Sequence, residues 1–433
     1  MVRNDDGLVR VGLLGCGNVG SAVARMLHDH AEDIALRTGI RLEVSRVAVR
    51  DLTRDRDVPV PPGAFTDDPS MLIRDPTVDV VAELMGGLQP AHDLVLQAFA
   101  AGKPVVTANK ELLATHGAEL VDAAATNDVD LLYEASVGGG IPLIRPLLEG
   151  LAGERIVRVM GIVNGTTNYI LTRMSEEGSS LAVALAEAQA LGFAEADPTA
   201  DVEGFDAAAK AAILAAIAFD ARVVVGDVYR EGISGVTADD IANARRLGYA
   251  VKLLAIAEAV EGAVAVRVHP TMIPLDHPLA GVRLSFNAVL IEGERVGQLM
   301  LTGRGAGGDP TATSVVGDLI EAARNLRHGG RSAGAARARA RAILPMDELP
   351  GQYYFLLRVD DRSGVLAAVA AAFAESDVSI KSVWQDGHGD EAQLVVITHR
   401  ATERALRACT ERLRSLDAVR SVSSVIRVVT GEP

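Results

Sequence analysis

Short apolar runs alternate with longer amphipathic segments over the first third of the chain. The runs are rich in Val, Leu and Ala, which is typical of strands buried on both faces of a parallel sheet. The predicted strands are Val9–Leu14, Leu42–Val49, Val78–Leu84, Pro104–Ala108 and Asp130–Ala135. The predicted helices between them are Val19–His30, Ala91–Ala101 and Leu112–Asn127. This alternation predicts βαβ units, and therefore a doubly wound parallel α/β sheet.

The pattern changes between Ile141 and about Gly308, where long helical stretches mix with strand-like runs. The predicted helices are Leu143–Leu151, Thr167–Glu176, Leu181–Leu191 and Val202–Phe219, and the predicted strands are Ile156–Val163, Ala263–Pro270 and Asn287–Thr302. This mixture predicts a central α+β domain. A helix over 310–327 follows, and we expect it to pack back onto the first domain.

The segment His328–Pro350 is rich in Gly, Ala, Arg and Pro and reads as a linker, although its arginines could instead hold an anion. The pattern after it predicts strand, helix, strand, strand, helix, strand, which is the ferredoxin-like order. These elements are Tyr353–Val359, Gly364–Ser376, Ser379–Gln385, Leu394–Thr398, Glu403–Ser415 and Val419–Val429. The predicted domains are therefore 1–140 completed by 310–327, then 141–309, the linker 328–350, and 351–433.

Composition excludes several classes of protein. The 433 residues suit two or three domains, and an aromatic content of 3% means cores built from aliphatic side chains. A net charge of −15 argues against a nucleic-acid partner. Two cysteines give no disulfide framework, and no long apolar run predicts a membrane span or a leader. We therefore expect a cytoplasmic protein. The nine histidines show no metal-ligand spacing, so no histidine metal site is predicted.

A glycine-rich string follows the first predicted strand and opens the first predicted helix. It reads G-C-G-N-V-G, with Gly15, Gly17 and Gly20 as its glycines and Asn18 and Val19 at the start of the helix. In this context G-x-G-x-x-G is the dinucleotide-binding fingerprint of a Rossmann-type domain, and the pyrophosphate lies at the helix N-terminus. The alternative is a glycine-rich turn without a ligand.

The end of the second predicted strand bears on the choice of cofactor. NAD sites usually carry an acidic residue there, whereas this chain has Arg50, then Asp51 and Arg54. Arginine suits the 2′-phosphate of NADP, so Arg50 and Arg54 favour NADP. Asp51 leaves NAD open, because it could serve the ribose hydroxyls.

An acidic stretch lies between two alanine-rich helical segments, from Gly192 to Lys210. Its carboxylates are Glu195, Asp197, Asp201, Glu203 and Asp206. Asp206 and Lys210 are four residues apart on a predicted helix, so they share one face. The stretch is either a functional site or an ordinary ion pair near a helix start.

Several strings together resemble homoserine dehydrogenases of the long bacterial type over essentially the whole chain. Besides the fingerprint, they are V-T-A-N-K-E-L-L-A from Val106, E-A-S-V-G-G-G-I-P from Glu134, G-I-V-N-G-T-T-N-Y-I from Gly161, G-F-A-E-A-D-P-T-A-D-V-E-G-F-D-A-A-A-K from Gly192 and G-R-G-A-G-G-D-P-T-A-T-S-V-V-G-D from Gly303. The resemblance implies reversible hydride transfer between L-aspartate 4-semialdehyde and L-homoserine with NAD(P). It also implies that the central domain carries catalysis and dimerisation, within a homodimer or homotetramer.

The resemblance implies roles for particular residues. Lys210 matches the proton donor, with Asp206 beside it, and Glu195 matches the glutamate that binds the substrate's amino group. Lys110 matches a second active-site lysine near nicotinamide and substrate, and Asp201 joins the substrate-binding group. A cationic donor suits this chemistry because negative charge develops on the aldehyde oxygen as hydride arrives. Two glycines, Gly192 and Gly305, match positions near the cofactor.

The resemblance also implies a monovalent cation, usually sodium. Its ligands would be Glu134 and the backbone carbonyls of Val137, Gly139 and Ile141, which are all hard oxygen donors. Without the resemblance, S-V-G-G-G-I-P reads as a plain glycine-rich loop.

The C-terminal module resembles an ACT domain, a regulatory fold that binds small ligands. Asp361, Ser363 and Gly364 match its ligand loop, and L-threonine is the effector that the family implies. Many ACT domains have proline where this chain has Ser363, so a module that only pairs with its neighbours is the alternative. Two other readings of the whole chain stay open. One is a catalytically silent NADP-binding amino-acid sensor, and the other is a different amino-acid dehydrogenase with an ACT domain.

Overall fold

The computed structural model describes residues 7–332, 341–388 and 390–429. They divide into two compact units, each built from several segments of the chain. The first lies within 1–159, 212–227 and 291–341, and the second within 160–211, 228–290 and 342–433. Within these described ranges, no helix is both long enough and apolar enough to cross a membrane.

The elements are numbered in chain order. The helices are α1 (Asn18–Asp29), α2 (Ala31–Thr38), α3 (Pro69–Arg74), α4 (Ala91–Ala100), α5 (Lys110–Thr126), α6 (Gly165–Glu177), α7 (Leu181–Ala190), α8 (Thr199–Val202), α9 (Phe205–Ala218), α10 (Ala238–Arg246), α11 (Gly308–His328), α12 (Val365–Glu375) and α13 (Glu403–Arg414). The strands are β1 (Leu8–Leu14), β2 (Arg41–Ala48), β3 (Phe65–Thr66), β4 (Val80–Glu83), β5 (Val105–Thr107), β6 (Leu131–Leu132), β7 (Ile156–Ile162), β8 (Tyr229–Arg230), β9 (Tyr249–Val260), β10 (Ala263–Pro274), β11 (Phe286–Gly293), β12 (Gly297–Arg304), β13 (Pro350–Asp360), β14 (Ile380–His388), β15 (Glu391–Thr398), β16 (Ala401–Thr402) and β17 (Val419–Val428).

The first unit is built on a parallel sheet with the strand order β3-β2-β1-β4-β5-β6. All of its pairings are parallel. This is the doubly wound order in which the strand sequence reverses between β1 and β4, and it confirms the predicted sheet. Both faces of the sheet are covered. Helices α1 and α11 contribute to the core on one side, and α4 and α5 contribute to the core on the other.

Helix α11 packs onto the dinucleotide fold although it lies far along the chain. Its buried Val315 and Leu319 share one apolar core with Val23 of α1 and Val11 of β1. The backbone also comes close at the start of α11, where a Cβ on Gly308 would lie 3.0 Å from the Asn18 carbonyl oxygen. Helix α11 therefore packs against α1 and comes closest to it at the N-terminus of α1.

The second unit contains the ferredoxin-like module. Strand β13 pairs antiparallel with β15 and β17, and β14 pairs antiparallel with β15. With α12 and α13, the order is the predicted βαββαβ, and that prediction is confirmed. Strand β17 also pairs in parallel with β10, where Thr271 aligns with Arg427 and Met272 with Val428. The module therefore continues the sheet of β9 and β10.

Several sequence predictions differ from the structure. The helix predicted over Val202–Phe219 begins only at Phe205, after α8 ends at Val202. The strand predicted over Asp130–Ala135 is reduced to Leu131–Leu132, and a helical turn follows at Glu134–Ser136.

The single strand predicted over Asn287–Thr302 is wrong, because the polar turn after β11 divides it from β12. The helix predicted over Leu143–Leu151 is a short π-helical turn at Pro146–Gly150, with Pro146 in its first turn, where proline is tolerated. Strand β9 is absent from the predictions. Its run A-V-K-L-L-A-I-A-E-A-V is rich in good helix formers, so its local pattern does not favour a strand.

The predicted linker is only partly within the described residues, since 333–340 lie outside them. Beyond that gap the chain runs beside β10. The Val264 N–H donates to the Ala342 carbonyl, and the Leu344 N–H donates to the Val264 carbonyl, both over 2.9 Å. A short helical turn at Met346–Glu348 then leads into β13.

Candidate active site

The glycine-rich string forms a tight turn between β1 and α1. Gly15 has a φ of +101°, and a Cβ there would lie 2.8 Å from the Leu84 carbonyl oxygen. A Cβ on Gly20 would collide with the Gly15 carbonyl, whereas a Cβ on Gly17 would meet nothing within 4 Å. Two glycines thus permit close packing of the turn, and Gly17 borders open space where a ligand can approach the backbone.

The N-terminus of α1 is suited to an anion. Gly17 is its N-cap residue and no side chain caps the helix. Asn18 is exposed and Val19 is half-buried, so the first turn is accessible. The first amide N–H groups of a helix have no partner within it, and the helix dipole favours negative charge there. The turn therefore fits a pyrophosphate.

Arg50 and Arg54 lie just beyond β2 and are both exposed. The carboxylate of Asp51 accepts bonds from the Thr53 hydroxyl over 2.6 Å and from the Thr53 N–H over 2.8 Å. These bonds hold the pKa of Asp51 below its ordinary value. The Asp51 carboxylate is thus engaged in hydrogen bonds within its own turn. Arg50 and Arg54 supply positive charge at this end of β2.

Lys110 is the first residue of α5 in the first unit. Asn109 caps that helix by accepting from the Leu112 N–H over 3.1 Å, and it donates to the Gly87 carbonyl over 2.7 Å. Just before it, the Thr107 hydroxyl donates to Glu83 over 2.6 Å in a fully buried bond. Lys110 therefore begins a helix whose start is fixed by polar bonds to the neighbouring strand end.

Glu83 is a buried acid that is absent from the predicted site residues. Its carboxylate also accepts from the Met85 and Gly86 N–H groups, over 2.9 and 3.3 Å. Burial raises the pKa of Glu83. The available signal was a glutamate that ends an otherwise apolar strand, V-V-A-E, at the carboxyl edge of a parallel sheet.

Lys210 and Asp206 form the buried ion pair that their spacing predicts. They lie on α9 in the second unit, with Lys210 Nζ 2.7 Å from Asp206 Oδ2. Lys210 also donates to the Val163 carbonyl over 2.8 Å. The two side chains are only 10% and 9% exposed, so this is not a solvated surface pair.

Asn164, for which the sequence predicts no role, joins this pair to a further carboxylate. Its Nδ2 donates to Asp201 over 2.6 Å and to Asp206 over 3.0 Å. Its Oδ1 accepts from the Thr167 N–H and caps α6. The structure therefore brings Lys210, Asp206 and Asp201 together at the junction of β7 and α6, with a neutral amide between the two acids.

Gly192 and Glu195 lie on the loop between α7 and α8. Glu195 is exposed, and its backbone carbonyl accepts from Gln189 over 3.0 Å. Gly192 is also exposed, with a φ of +76°. Unlike Asp201 and Asp206, the Glu195 carboxylate is thus presented to solvent.

The carboxylate predicted to bind a cation is itself held by backbone amides. Glu134 is buried and accepts from the N–H groups of Leu143, Ile144 and Arg145, over 2.5, 2.8 and 2.8 Å. These three hydrogen bonds from backbone N–H groups fix the orientation of the carboxylate and stabilise its negative charge. A carboxylate has about four acceptor positions, so this anchoring is compatible with a further ligand.

The carbonyl-bearing loop that follows is closely packed. Val137, Gly139 and Ile141 are buried. Position 139 has no room for a side chain, because a Cβ on Gly139 would lie 2.7 Å from the Gly305 carbonyl oxygen. The Gly139 carbonyl itself accepts a hydrogen bond from the Ser314 hydroxyl over 2.7 Å. The donors in this loop are all oxygens, which fits a hard cation in chemical type.

A second buried acid, Asp318, lies beside Glu134. It accepts from the Glu134 N–H over 2.8 Å and from the Arg145 guanidinium over 2.9 Å. Burial raises the pKa of Asp318 to about 7, and the nearby Glu134 charge acts in the same direction. Two buried acids, Glu134 and Asp318, therefore lie close together, and the partly exposed Arg145 forms an ion pair with Asp318.

The predicted ligand loop of the C-terminal module joins β13 to α12. The Asp361 N–H donates to the Asp390 carbonyl over 3.1 Å, and Gly364 is the N-cap of α12 with a φ of +90°. No side chain caps that helix, and Ser363 is exposed. The start of α12 thus keeps amide groups available, as a binding loop requires.

Three family profiles match successive parts of the chain. The profile described as "Homoserine dehydrogenase, NAD binding domain" matches residues 15–134, and the one described as "Homoserine dehydrogenase" matches residues 142–320. The ACT domain profile matches residues 353–418. The homoserine dehydrogenase of Mycobacterium tuberculosis is 51% identical over 435 residues, covering 98% of each chain. The chain belongs to the homoserine dehydrogenase family.

Solved structures of the homoserine dehydrogenase family agree with this assignment. A crystal structure of the Thiobacillus denitrificans homoserine dehydrogenase superposes with a TM-score of 0.92 at 41% identity, covering 98% of each chain. A hyperthermophilic archaeal homoserine dehydrogenase in complex with NADPH gives a TM-score of 0.60 at 30% identity. It covers 73% of this chain and 98% of its own. Membership makes this chain an oxidoreductase with a domain for a nicotinamide cofactor.

Proposed function

We propose that the chain catalyses reversible hydride transfer between L-aspartate 4-semialdehyde and L-homoserine, with NADP preferred to NAD. Nicotinamide, when bound, supplies or accepts the hydride. The observation that carries the proposal is the buried Lys210–Asp206 pair, because it offers an ammonium group that is fixed in position and shielded from water. As the family resemblance implies, threonine, methionine and isoleucine biosynthesis would use the product.

Lys210 acts as the proton donor to the substrate oxygen. An ammonium has three hydrogens. Within the described residues, bonds to Asp206 and the Val163 carbonyl engage two of them, which leaves one for a substrate oxygen. As an aldehyde is reduced its oxygen gains negative charge, and a cation already in place stabilises that charge without reorganisation. In the reverse direction, the same nitrogen accepts the proton from the alcohol of homoserine.

The acidic residues bind the substrate's ammonium group. Asp201 and Asp206 share the Asn164 amide, which keeps two carboxylates close together without requiring a proton between them. Glu195 presents a further carboxylate on the loop before them. We assign Glu195 and Asp201 to the substrate's amino group and Asp206 to both the substrate and Lys210. Lys110 supplies a second cation for cofactor and substrate, supported by its place at a helix start.

Arg50 and Arg54 bind the 2′-phosphate of NADP. Both are exposed at the end of β2, while the Asp51 carboxylate is occupied by Thr53. An arginine donates two parallel bonds to a phosphate and is always charged, so it suits this role better than a neutral side chain. The archaeal relative was solved in complex with NADPH, which is consistent with this preference.

Glu134 and the carbonyl oxygens of Val137, Gly139 and Ile141 would hold a sodium ion. The anchored carboxylate and the oxygen-only donor set support this assignment. The ion's role would be structural, because its ligands lie on the loop that packs against Gly305. We further propose a cytoplasmic homodimer or homotetramer.

L-threonine regulates the enzyme through the ACT module. Support comes from a buried charge cluster where the module joins the rest of the second unit. Arg427 of β17 donates to Glu231 over 2.6 Å and to Glu403 over 2.8 Å, and it is only 8% exposed. Arg427 holds the pKa of Glu231 low even though burial opposes this. The module is thus tied to the segment that follows β8.

That segment braces the turn that carries Asp201. The Ile233 N–H donates to the Val202 carbonyl over 2.8 Å, and a Cβ on Gly232 would lie 2.5 Å from the Glu203 Cα. Any side chain at Gly232 would displace this turn. A shift of β17 on binding an effector would therefore reach Asp201 through Glu231, Gly232 and Val202, which supplies a physical coupling between the two sites.

The proposed reaction is tested by absorbance at 340 nm. Purified chain is incubated with L-homoserine and NADP, then with NAD, and then with L-serine and L-threonine as hydroxy amino acids of different length. The proposal predicts homoserine-dependent formation of NADPH, a lower rate with NAD, and no turnover of serine or threonine. Absence of turnover with homoserine in both cofactors and in both directions would contradict it.

A further inference from the structure

Two histidines and a glutamate meet between helices α4 and α5 of the first unit. His92 lies in the first turn of α4, and His116 and Glu119 lie one turn apart on α5. His92 Nε2 is 3.2 Å from one carboxylate oxygen of Glu119, and His116 Nδ1 is 3.0 Å from the other. One potential ligand atom from each of the three residues lies within 4.8 Å of the other two. None of the roles proposed above uses these residues.

A neighbouring carboxylate fixes how His92 presents its ring. Asp93 Oδ1 lies 3.1 Å from His92 Nδ1 and also accepts from Gln89. A proton on Nδ1 satisfies this bond, and in that tautomer of the neutral ring Nε2 has a lone pair that can ligate an ion. That Nε2 is buried and makes no well-directed hydrogen bond within the described residues, although Glu119 lies beside it. An ion bound at this point would replace the proton between Nε2 and the Glu119 oxygen and would be held by both atoms.

The geometry points to a binding site for a divalent transition-metal ion, with His92 Nε2, His116 Nδ1 and the Glu119 carboxylate as ligands. Imidazole nitrogen with carboxylate oxygen is a donor set that Zn²⁺ and Co²⁺ accept, and a tetrahedral ion with bonds of about 2.0–2.2 Å separates its ligand atoms by roughly 3.4 Å. The distances of 3.2 and 3.0 Å run to different oxygens of Glu119, and one atom from each residue lies within 4.8 Å of the other two, so small side-chain rotations would bring all three to an ion. Water would complete the coordination.

The surroundings match such an ion in charge and access. Glu119 and Asp93 contribute two negative charges, which balance a divalent cation. The His92–Asp93 bond is the carboxylate–histidine arrangement that orients metal ligands in proteins. The side chain of His92 is 14% exposed, that of His116 35% and that of Glu119 53%, so an ion can enter from solvent. The spacing of these residues in the sequence does not predict the site, because its ligands come from two helices.

The ion would fasten the start of α4 to α5, the helix that begins at Lys110. Its role is therefore stabilisation of the cofactor-binding unit, and binding should be measurable without any catalytic assay. The alternative is a cluster held by protons alone, with Glu119 bridging two charged histidines and no affinity for metal.

The test uses the full-length protein after dialysis against a chelator. Zn²⁺ is titrated by calorimetry, and Co²⁺ by its visible absorption, which reports tetrahedral coordination. We expect one equivalent to bind and the thermal midpoint to rise. His116→Ala and, as a gentler variant, Glu119→Gln should each lower the affinity by at least about tenfold, and Asp93→Asn by about 10–100-fold. His28→Ala, at an exposed histidine of α1, is the matched control.

Either of two results would overturn the inference. One is no binding of Zn²⁺ or Co²⁺ at micromolar concentration by the wild-type chain. The other is binding that His116→Ala and Glu119→Gln leave unchanged, since the ion would then lie elsewhere, including at the oxygen ligands around Glu134. Because the readout is metal affinity, failure here does not touch the proposed dehydrogenase reaction.

Discussion

The side-chain amide of Asn164 donates to Asp206 over 3.0 Å, onto the same carboxylate oxygen that Lys210 reaches over 2.7 Å. This oxygen therefore accepts from a neutral donor and from a cation at once. Through the same nitrogen, Asn164 also holds Asp201. The orientation of the Lys210–Asp206 pair thus depends on a residue outside the acidic stretch.

Asn164→Ser should lower kcat/KM for L-homoserine by roughly 10- to 150-fold, the equivalent of about 1.5–3 kcal/mol for a hydrogen bond to a charged group. Serine keeps a helix-capping oxygen for α6 but is too short to reach both carboxylates. Steady-state kinetics at saturating NADP measure the effect. Asp68→Ser, an exchange at the cap of α3, controls for a changed helix cap away from the site. A wild-type kcat/KM in Asn164→Ser would contradict the positioning role.

Arg50→Ala should shift the preference from NADP towards NAD. Loss of a charge-assisted bond to the 2′-phosphate costs about 1.5–3 kcal/mol, while NAD has no such group. The ratio of kcat/KM for the two cofactors measures the shift, and Arg54→Ala tests the second candidate in the same way. The exposed Arg37 of α2 offers a control exchange. An unchanged ratio in both Arg50→Ala and Arg54→Ala would place the 2′-phosphate elsewhere.

Glu231→Gln should weaken inhibition by L-threonine by about 5- to 150-fold, which is the usual range of a coupling free energy. The exchange keeps the size of the side chain but removes the charge that faces Arg427. Inhibition curves at fixed homoserine measure it. Glu375→Gln, which removes an exposed ion pair with Arg412 in the same module, is the matched control. The same inhibition in Glu231→Gln and in the wild type would exclude this route.

Lys252 offers a test of burial through pH. It is buried, donates to Val282 and Asn168, and burial lowers its pKa to about 8. The unfolded chain binds the proton more tightly, so between about pH 8 and the ordinary lysine value of about 10.4 the folded state gains stability as pH rises. The unfolding free energy of the wild type relative to Lys252→Met should rise by about 1.4 kcal/mol per pH unit in that window. A difference that stays flat would contradict the burial.

Much of the fold could be predicted because its signals are local. The alternation of apolar strands and helices gave the parallel sheet, and the i,i+4 spacing of Asp206 and Lys210 gave their pairing. Strand β9 was missed because alanine and leucine runs suit a helix equally well, and only its pairing with β10 decides. The pairing of β17 with β10 was missed for a related reason, since no local sequence pattern shows which strands pair with each other.

The candidate site was predicted only where its residues fall within one stretch. Asn164 is 37 residues from Asp201 in sequence, so the hydrogen bond between them depends on the tertiary fold and not on a local sequence spacing. The same holds for Glu231 and Arg427, which are 196 residues apart. Their roles follow from burial and hydrogen bonding, which the sequence does not display. The assigned roles of all the site residues, including Lys210, Asp206, Lys110, Glu195 and the cofactor and cation ligands, remain predictions.

The central claim is that Lys210 transfers the proton that accompanies hydride transfer. Its most direct test is the rate of NADPH formation from L-homoserine by Lys210→Met, with NADP affinity measured separately by calorimetry. Lys103→Met is the control, because Lys103 is also a buried lysine and bonds to two backbone carbonyls of the first unit. We predict a kcat lowered by about 10²–10⁴-fold in Lys210→Met with nearly unchanged NADP affinity, and a kcat close to wild type in Lys103→Met. A kcat in Lys210→Met within a few-fold of the wild type would contradict the account.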